Sequence, residues 1–289
     1  MQERPVGIIA GNGPLPVETA REALRQGRPV VIAAILEEAD PVLDQLAAEY
    51  PGRLTVEWLG VGQLGKLLKL FHRHHVGEAV MVGQVRHVRI FAPRSRAHWS
   101  DLRRLPDLKT LRLLRKLPSR NTAAILEAFI GVLEQDGLRV LDSTTYLRHW
   151  LADSGPLTRR GLTEEERKDI EYGLPVAREI ARLDVGQSIV VRDQVVVAVE
   201  AMEGTDAAVR RAAELARGAR LTLIKVSRPN QDFRYDVPVV GPRTLEVCRE
   251  CGVTAICVEA GRTLLVEKES FLRHSDELGL AVVGTEAEV

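Results

Sequence analysis

The sequence predicts an α/β protein of two domains, and three observations lead there. Short apolar runs such as Val6–Ala10 and Ala79–Val82 alternate with helix-periodic segments in the N-terminal half. After Asp136-Gly137 ends one such helical segment, the alternation starts again near Leu138. The chain has 289 residues, 45% of them hydrophobic, which is enough for two cores. The expected division is a parallel-sheet domain over residues 1–137 and a second α/β domain over 138–284.

In the first half, Val6–Ala10 reads as a buried strand. It runs into Gly11-Asn12-Gly13-Pro14-Leu15-Pro16, and a helix is expected from Val17 to Gln26, ended by Gly27. Pro29–Ile35, Leu54–Leu59 and Ala79–Val82 read as further strands, Leu64–His75 and Thr122–Gln135 as helices. Strands alternating with helices argue for a parallel sheet covered on both faces, which makes this half Rossmann-like. In the second half, Glu164–Leu183 predicts a long helix with Ile170, Leu174, Ala177, Ile180 and Ala181 on one side. Ser188–Val191 and Val195–Ala201 read as a hairpin. Helices at 205–217, 242–251 and 269–278 then alternate with strands at 221–226, 255–258, 264–266 and 280–283.

Composition excludes several classes. The formal net charge is zero, which argues against bulk nucleic acid as partner. The three cysteines, Cys248, Cys251 and Cys257, supply one C-x2-C and no second ligand pair, so structural zinc is not expected and reduced cytoplasmic thiols are. His72 and His75 are helix-spaced but show no companion carboxylate in sequence. No signal peptide precedes the first strand, and no apolar run approaches the roughly 18 residues of a membrane span. Residues 86–120 are strongly basic, and Leu108, Leu111, Leu113, Leu114 and Leu117 share a helical arc opposite Lys109, Arg112 and Lys116. That pattern suits either a helix resting on an anionic membrane or a core-facing helix with a solvated basic side.

Three segments carry groups suited to chemistry. Gly11-Asn12-Gly13 lies where a strand turns into a helix, so the backbone can approach phosphate, although Pro14 departs from the dinucleotide fingerprint and an ordinary tight turn explains the same residues. Gly83-Gln84 ends another strand on the same expected edge. Glu203-Gly204-Thr205-Asp206 repeats the device in the second half, either as a helix cap or as a backbone-and-hydroxyl cradle for phosphate. The polar segment 225–238 is the most informative. Lys225 and Arg228 can neutralise phosphate, Asn230 and Gln231 can bind substrate, and Asp232 and Asp236 can hold a hard cation or position water. A structural loop held by ion pairs is the alternative.

These segments resemble the LpxI-type UDP-2,3-diacylglucosamine pyrophosphatases over essentially the whole chain. The resemblance rests on VGIIAGNGPLP at 6–16, Gly83-Gln84-Val85, ARLDVGQSIVV at 181–191, VAVEAMEGTDAAVRR at 197–211 and KVSRPNQDFRYDVPVVG at 225–241. It implies a two-domain, Mg²⁺-dependent hydrolase (Mn²⁺ able to substitute) whose C-terminal domain is catalytic, with substrate between the domains and UMP and 2,3-diacylglucosamine 1-phosphate as products. It implies that Asp236, in R-x-D-x-P, is the essential carboxylate, and the expected role of Asp236 is to bind Mg²⁺ as a metal ligand or to orient water. Where the family commonly shows Gly-Asp at the start of the first domain's last helix, this chain reads Ser119-Arg120-Asn121-Thr122; Asn121 can still cap the helix but brings no charge. The expected partners are UDP-2,3-diacylglucosamine, the anionic inner-membrane surface on its cytoplasmic side, and a second copy of the chain as a homodimer. Two rivals from other classes are a nucleotide-dependent oxidoreductase, for which Glu37 or Glu38 would bind ribose, and a non-catalytic carrier of lipid or nucleotide.

Overall fold

The computed structural model describes residues 4–85, 106–117, 122–217 and 220–287. It divides into two compact units between Leu147 and Arg148. In the first, strands β1 (Val6–Ala10), β2 (Val30–Ile35), β3 (Leu54–Leu59), β4 (Glu78–Val82) and β5 (Arg139–Val140) form one sheet in the order β3-β2-β1-β4-β5. Every pairing in it is parallel. β1 lies at the centre and is buried throughout, which is why it reads as an unbroken apolar run. Val6, Ile8 and Ala10 pack with Ala20 and Leu24 of helix α1 (Leu15–Arg25) and Leu43 and Leu46 of helix α2 (Val42–Glu49). Gly7 belongs to the other face. A Cβ there would lie 2.7 Å from Phe71 Cζ, so the glycine lets helix α3 (Leu64–Arg73) seat its aromatic ring on the strand.

The boundary expected at residue 137 falls ten residues before the observed division. The short β5 pairs with Glu78 and Ala79 of β4 and completes the first sheet rather than opening the second unit. Helix α4 (Leu108–Lys116) is pinned at its start by Asp107. One carboxylate oxygen accepts from Thr110 N–H of α4 at 2.9 Å, and the other accepts from Gly65 N–H in the first turn of α3. Helix α5 (Thr122–Gln135) then leads to β5. His72 meets a carboxylate after all, that of Asp136, and this explains it as a surface pair rather than a metal ligand.

In the second unit, β6 (Gly155–Pro156), β7 (Ser188–Arg192), β8 (Val195–Val199), β9 (Leu221–Lys225), β11 (Val253–Glu259) and β13 (Ala281–Thr285) form a mixed sheet in the order β6-β13-β11-β9-β7-β8. β9, β11 and β13 run parallel, and β7 is antiparallel to both β8 and β9. β10 (Val239–Val240) and β12 (Leu264–Leu265) form a separate parallel pair. Helix α6 (Glu164–Arg182) covers one face, with Ile170, Ala177 and Ala181 against Ile189, Val191, Ile224 and Val226. Helices α7 (Thr205–Ala216), α8 (Pro242–Glu250) and α9 (Lys268–Glu277) bury Val209, Leu245 and Phe271 with Val190, Leu223 and Ile256 on the other. Burial pushes the Cys257 thiol up to about 12 and Cys248 higher still, so neither is a ready nucleophile.

Helix α6 starts on a reciprocal cap between Thr163 and Glu166. The Glu166 carboxylate is fully buried and accepts from Arg160 Nη2 at 2.7 Å, Thr254 Oγ1 at 2.6 Å and Thr163 N–H at 2.8 Å. Burial alone would raise its pKa, but these bonds outweigh it and hold the carboxyl below its ordinary value of 4.5. A carboxyl depressed in the folded state adds stability above its unfolded pKa, and that stability is lost as pH falls through the folded value. Glu166→Gln should therefore lower stability at neutral pH by about 1–3 kcal/mol and flatten the loss below pH 4.5. Urea titrations of both proteins from neutral pH downward check this; parallel acid limbs would exclude Glu166 as the cause.

Candidate active site

In the first unit, the turns after β1 and β4 meet at the point where the sheet order reverses, the place where open α/β sheets gather ligands. Asn12 N–H donates to Gln84 O at 2.8 Å and Gln84 N–H returns the bond to Asn12 O at 3.0 Å. Gly11 and Gly83 are needed for this approach. A Cβ on Gly11 would lie 2.8 Å from Gln84 O, and one on Gly83 would lie 2.7 Å from Asn12 O. Part of the glycine requirement read as room for phosphate is thus room for the other turn. Gly13 differs, with φ +100° and open space beside it. Pro14 caps α1 with no side-chain bond, and Pro16 has no N–H, so Leu15 and Val17 supply the first-turn donors.

In the second unit, antiparallel pairing sets Ser188 of β7 opposite Lys225 at the end of β9. Glu200 follows β8 on the same edge, its N–H bonded to Ser188 O at 2.8 Å. Lys225 Nζ donates to Thr205 Oγ1 at 2.9 Å and Ser188 Oγ at 3.2 Å, and lies 3.8 Å from Glu200 Oε2. Thr205 Oγ1 donates to Glu200 Oε1 at 2.9 Å. The hydroxyl expected to face phosphate is therefore already engaged, leaving the backbone of the Gly204-Thr205 turn for that purpose. Gly204 adopts φ +85° as the cap of α7. Burial lowers the Lys225 pKa, while the charges of Glu200, Asp236 and Asp206 work to raise it.

The polar segment folds back over this edge. Asp236 accepts from Arg228 Nη1 at 2.5 Å and from Gln187 Nε2 at 3.4 Å. Arg228 Nε also lies 2.7 Å from a carboxylate oxygen of Asp184, which sits at φ +57° in the turn that follows α6. Asp232, the other expected carboxylate, is engaged within the segment itself. Both its oxygens are held by the Arg234 guanidinium at 2.7–3.0 Å, and that bond depresses its pKa. Asp206 is paired with Arg243 and Thr244, each at 3.1 Å, and Glu203 with Arg211 at 2.6 Å. Gln231 accepts from Arg228 N–H at 2.6 Å, and its Nε2 is buried without a hydrogen-bond partner. Asn230 is exposed.

Lys225, Thr205, Arg228 and Asp236 are the expected residues that converge on this edge. Ser188, Gln187, Asp184 and Glu200 join them unforeseen, although all four lie inside the quoted motifs. Among the described residues, no group of three or more His, Cys, Asp or Glu gathers to hold a metal by itself. Mg²⁺ does not require one, since it is commonly held by one or two carboxylates with substrate phosphate and water completing the octahedron. Asp236, a third exposed, offers oxygen of the right hardness. The donor set therefore fits a substrate-completed Mg²⁺ site.

The comparisons agree with this division of the chain. The LpxI N-terminal domain model matches residues 5–150 and the LpxI C-terminal domain model residues 153–283. The UDP-2,3-diacylglucosamine pyrophosphatase LpxI of Caulobacter vibrioides is 33% identical over 293 residues, covering 98% of both chains. Among solved structures, a UDP-glucose-4-epimerase from Stenotrophomonas maltophila aligns with a TM-score of 0.31 at 14% identity, over 47% of this chain and 35% of its own. A putative short-chain alcohol dehydrogenase from Burkholderia multivorans aligns with a TM-score of 0.29 at 17% identity, over 46% and 56%. With one family model spanning half its length, another most of the rest, and a relative matched end to end, the chain belongs to the LpxI family.

Proposed function

We propose that this protein hydrolyses the pyrophosphate of UDP-2,3-diacylglucosamine to UMP and 2,3-diacylglucosamine 1-phosphate, a step toward lipid A. The observation that carries the reading is the end-to-end match to a pyrophosphatase of that name. The second unit's edge supplies suitable chemistry. Lys225 and Arg228 place positive charge where phosphoryl oxygens would gain negative charge. Asp236 can orient water toward phosphorus or hold Mg²⁺. The ion, when bound, withdraws charge from the phosphoryl oxygens. The Gly204-Thr205 turn adds backbone donors at a helix start. The expected placement of substrate between the two domains, with Gly11–Pro14 and Gly83-Gln84 taking part, is included in this proposal, as is the homodimer.

The test is incubation of the full chain with UDP-2,3-diacylglucosamine. UMP should appear with Mg²⁺ or Mn²⁺, vanish in EDTA and return when Mg²⁺ is restored. Undiminished release in chelator would remove the metal. Intact substrate after hours with Mg²⁺ would leave a carrier, and binding of NADH without UMP release would favour the oxidoreductase.

Among the described residues no helix is long and apolar enough to cross a membrane, and a two-tailed substrate must be reached from a surface. The basic segment 86–105 and residues 118–121, including the Ser119-Arg120-Asn121 departure, lie outside the described residues. Within α4, Leu108 and Leu111 are exposed beside exposed Arg112 and Arg115. We propose that this helix touches anionic lipid, at about 1 kcal/mol per basic side chain near the surface. Changing Arg112, Arg115 and Lys116 together to Glu should abolish salt-sensitive binding to anionic vesicles in a flotation assay. It should slow turnover on vesicle-borne substrate more than on detergent-dispersed substrate. Unaltered vesicle binding would show that α4 serves something else.

A further inference from the structure

Glu200 stands apart from the other carboxylates near Lys225. Asp206 has Arg243 as its cation and Asp236 has Arg228. The ion pair of Glu200 among the described residues is with Lys225 itself. The two side chains are 13% and 9% exposed, and the Thr205 hydroxyl joins them, accepting from Lys225 and donating to Glu200. An ionised carboxylate can only accept and an ammonium can only donate, whereas a hydroxyl does both. Glu200 therefore dictates the direction of the chain. It draws the single hydroxyl proton of Thr205 and turns that oxygen's lone pairs toward Lys225. With a second N–H on Ser188, and Glu200 Oε2 at 3.8 Å too far for a hydrogen bond, two of the three ammonium donors are engaged and the third is left for a ligand.

We propose that Glu200 is a positioning residue that acts through Thr205 to fix the Lys225 ammonium, so that its remaining N–H meets the anionic diphosphate of the substrate. This rests on the pyrophosphatase reading. A lysine stem is otherwise flexible, and a donor held in advance of binding stabilises developing charge without reorganising. Gln at 200 would break the arrangement at constant size, because its amide can donate to Thr205 and allow the hydroxyl to reverse.

The test is a double-mutant cycle with two readouts: UDP binding by calorimetry in the presence of Mg²⁺, and turnover of UDP-2,3-diacylglucosamine. Lys225→Met and Glu200→Gln should each weaken UDP about tenfold, the scale of a hydrogen bond to a charged group. Each should lower kcat by a larger factor than it raises KM. The double variant should be no worse than Lys225→Met alone, since the two residues act as one unit. Thr205→Val should resemble Glu200→Gln, and Thr205→Ser, which restores the hydroxyl, should recover most of that loss. This pair decides the matter if Glu200→Gln fails to fold. Additive losses, or normal UDP affinity in Thr205→Val, would overturn the proposal. So would a Glu200→Gln defect confined to the Mg²⁺ requirement, which would make Glu200 a metal ligand instead. A wild-type chain that binds UDP yet releases no UMP removes the pyrophosphatase reading, while the binding cycle still judges the coupling. One that does not bind UDP overturns the proposal itself.

Discussion

Asp236→Asn should lower turnover at least about a hundredfold and leave the fold intact. Asn preserves the size of the side chain and an oxygen for Gln187 Nε2, which lies 3.4 Å from the carboxylate in the parent protein. Arg228 loses its charged partner here but keeps Asp184, 2.7 Å from its Nε. The loss therefore falls on chemistry more than on packing. A neutral amide is a poor ligand for a hard cation and a poor acceptor of a proton from attacking water. Each order of magnitude in rate corresponds to about 1.4 kcal/mol, so a hundredfold loss asks about 2.7 kcal/mol of this one carboxylate, well within the range for such groups. Asp232→Asn supplies the contrast. Its oxygens hold Arg234 within the loop, so its removal should loosen the loop and lower the melting temperature, with a smaller effect on kcat of the folded fraction. Steady-state kinetics with thermal melts on both variants would settle the assignment. Near-normal turnover in Asp236→Asn would remove that residue from the mechanism, and equal kcat losses in the two variants would mean that both act through loop structure.

The difference between these two aspartates marks how far the sequence could be read. Buried parallel strands announce themselves as apolar runs, and β1, β2 and β4 lay within a residue of where such runs predict. Helix α2 did not stand out, because eight residues starting after Pro41 offer only two buried positions, Leu43 and Leu46, to set a period. The two-residue β5 carries no periodicity, so its membership in the first sheet depends on its partner β4 and not on its own residues. The motifs around Thr205 and Asp236 were legible as chemistry, since glycine, hydroxyl, cation and carboxylate were crowded into short polar stretches between strands. Their partners were not. Glu200 and Lys225 are separated by helix α7, and only the pairing of β7 with both β8 and β9 brings them to one edge. Ion pairing hid the rest: the R-x-D-x-P motif singled out Asp236, but nothing in sequence showed that Arg234 holds Asp232 and Arg228 holds Asp236.

The turn Asp184-Val185-Gly186-Gln187 is where that edge is most sensitive to a single methyl group, and Gly186→Ala should cost about a hundredfold in turnover together with clear destabilisation. In sequence it reads as the end of a helix. In the structure a Cβ at Gly186 would lie 1.9 Å from the carbonyl oxygen of Glu200. Backbone atoms cannot swing aside as a side-chain tip can, so the turn and the end of β8 must separate. Two sets of contacts are tied to that approach. Glu200 N–H bonds Ser188 O, and Val226 N–H bonds Gln187 O at 2.9 Å, which register Glu200 and Lys225 with the turn. Gln187 and Asp184 in turn reach Asp236 and Arg228. Displacement by even about 1 Å of groups that must align on a reacting centre can cost a hundredfold in rate. Forcing an extra methyl into a packed region costs about 1–3 kcal/mol, a drop in melting temperature of several degrees for a unit of this size. Gly161→Ala in the same unit is the control, because a Cβ there has open space around it, and it should leave both quantities near wild type. Calorimetric melts and turnover of the two variants measured side by side would decide. Normal kcat in a folded Gly186→Ala protein would show that the turn yields without carrying Gln187 and Glu200 with it, and that the edge is more tolerant than its contacts imply.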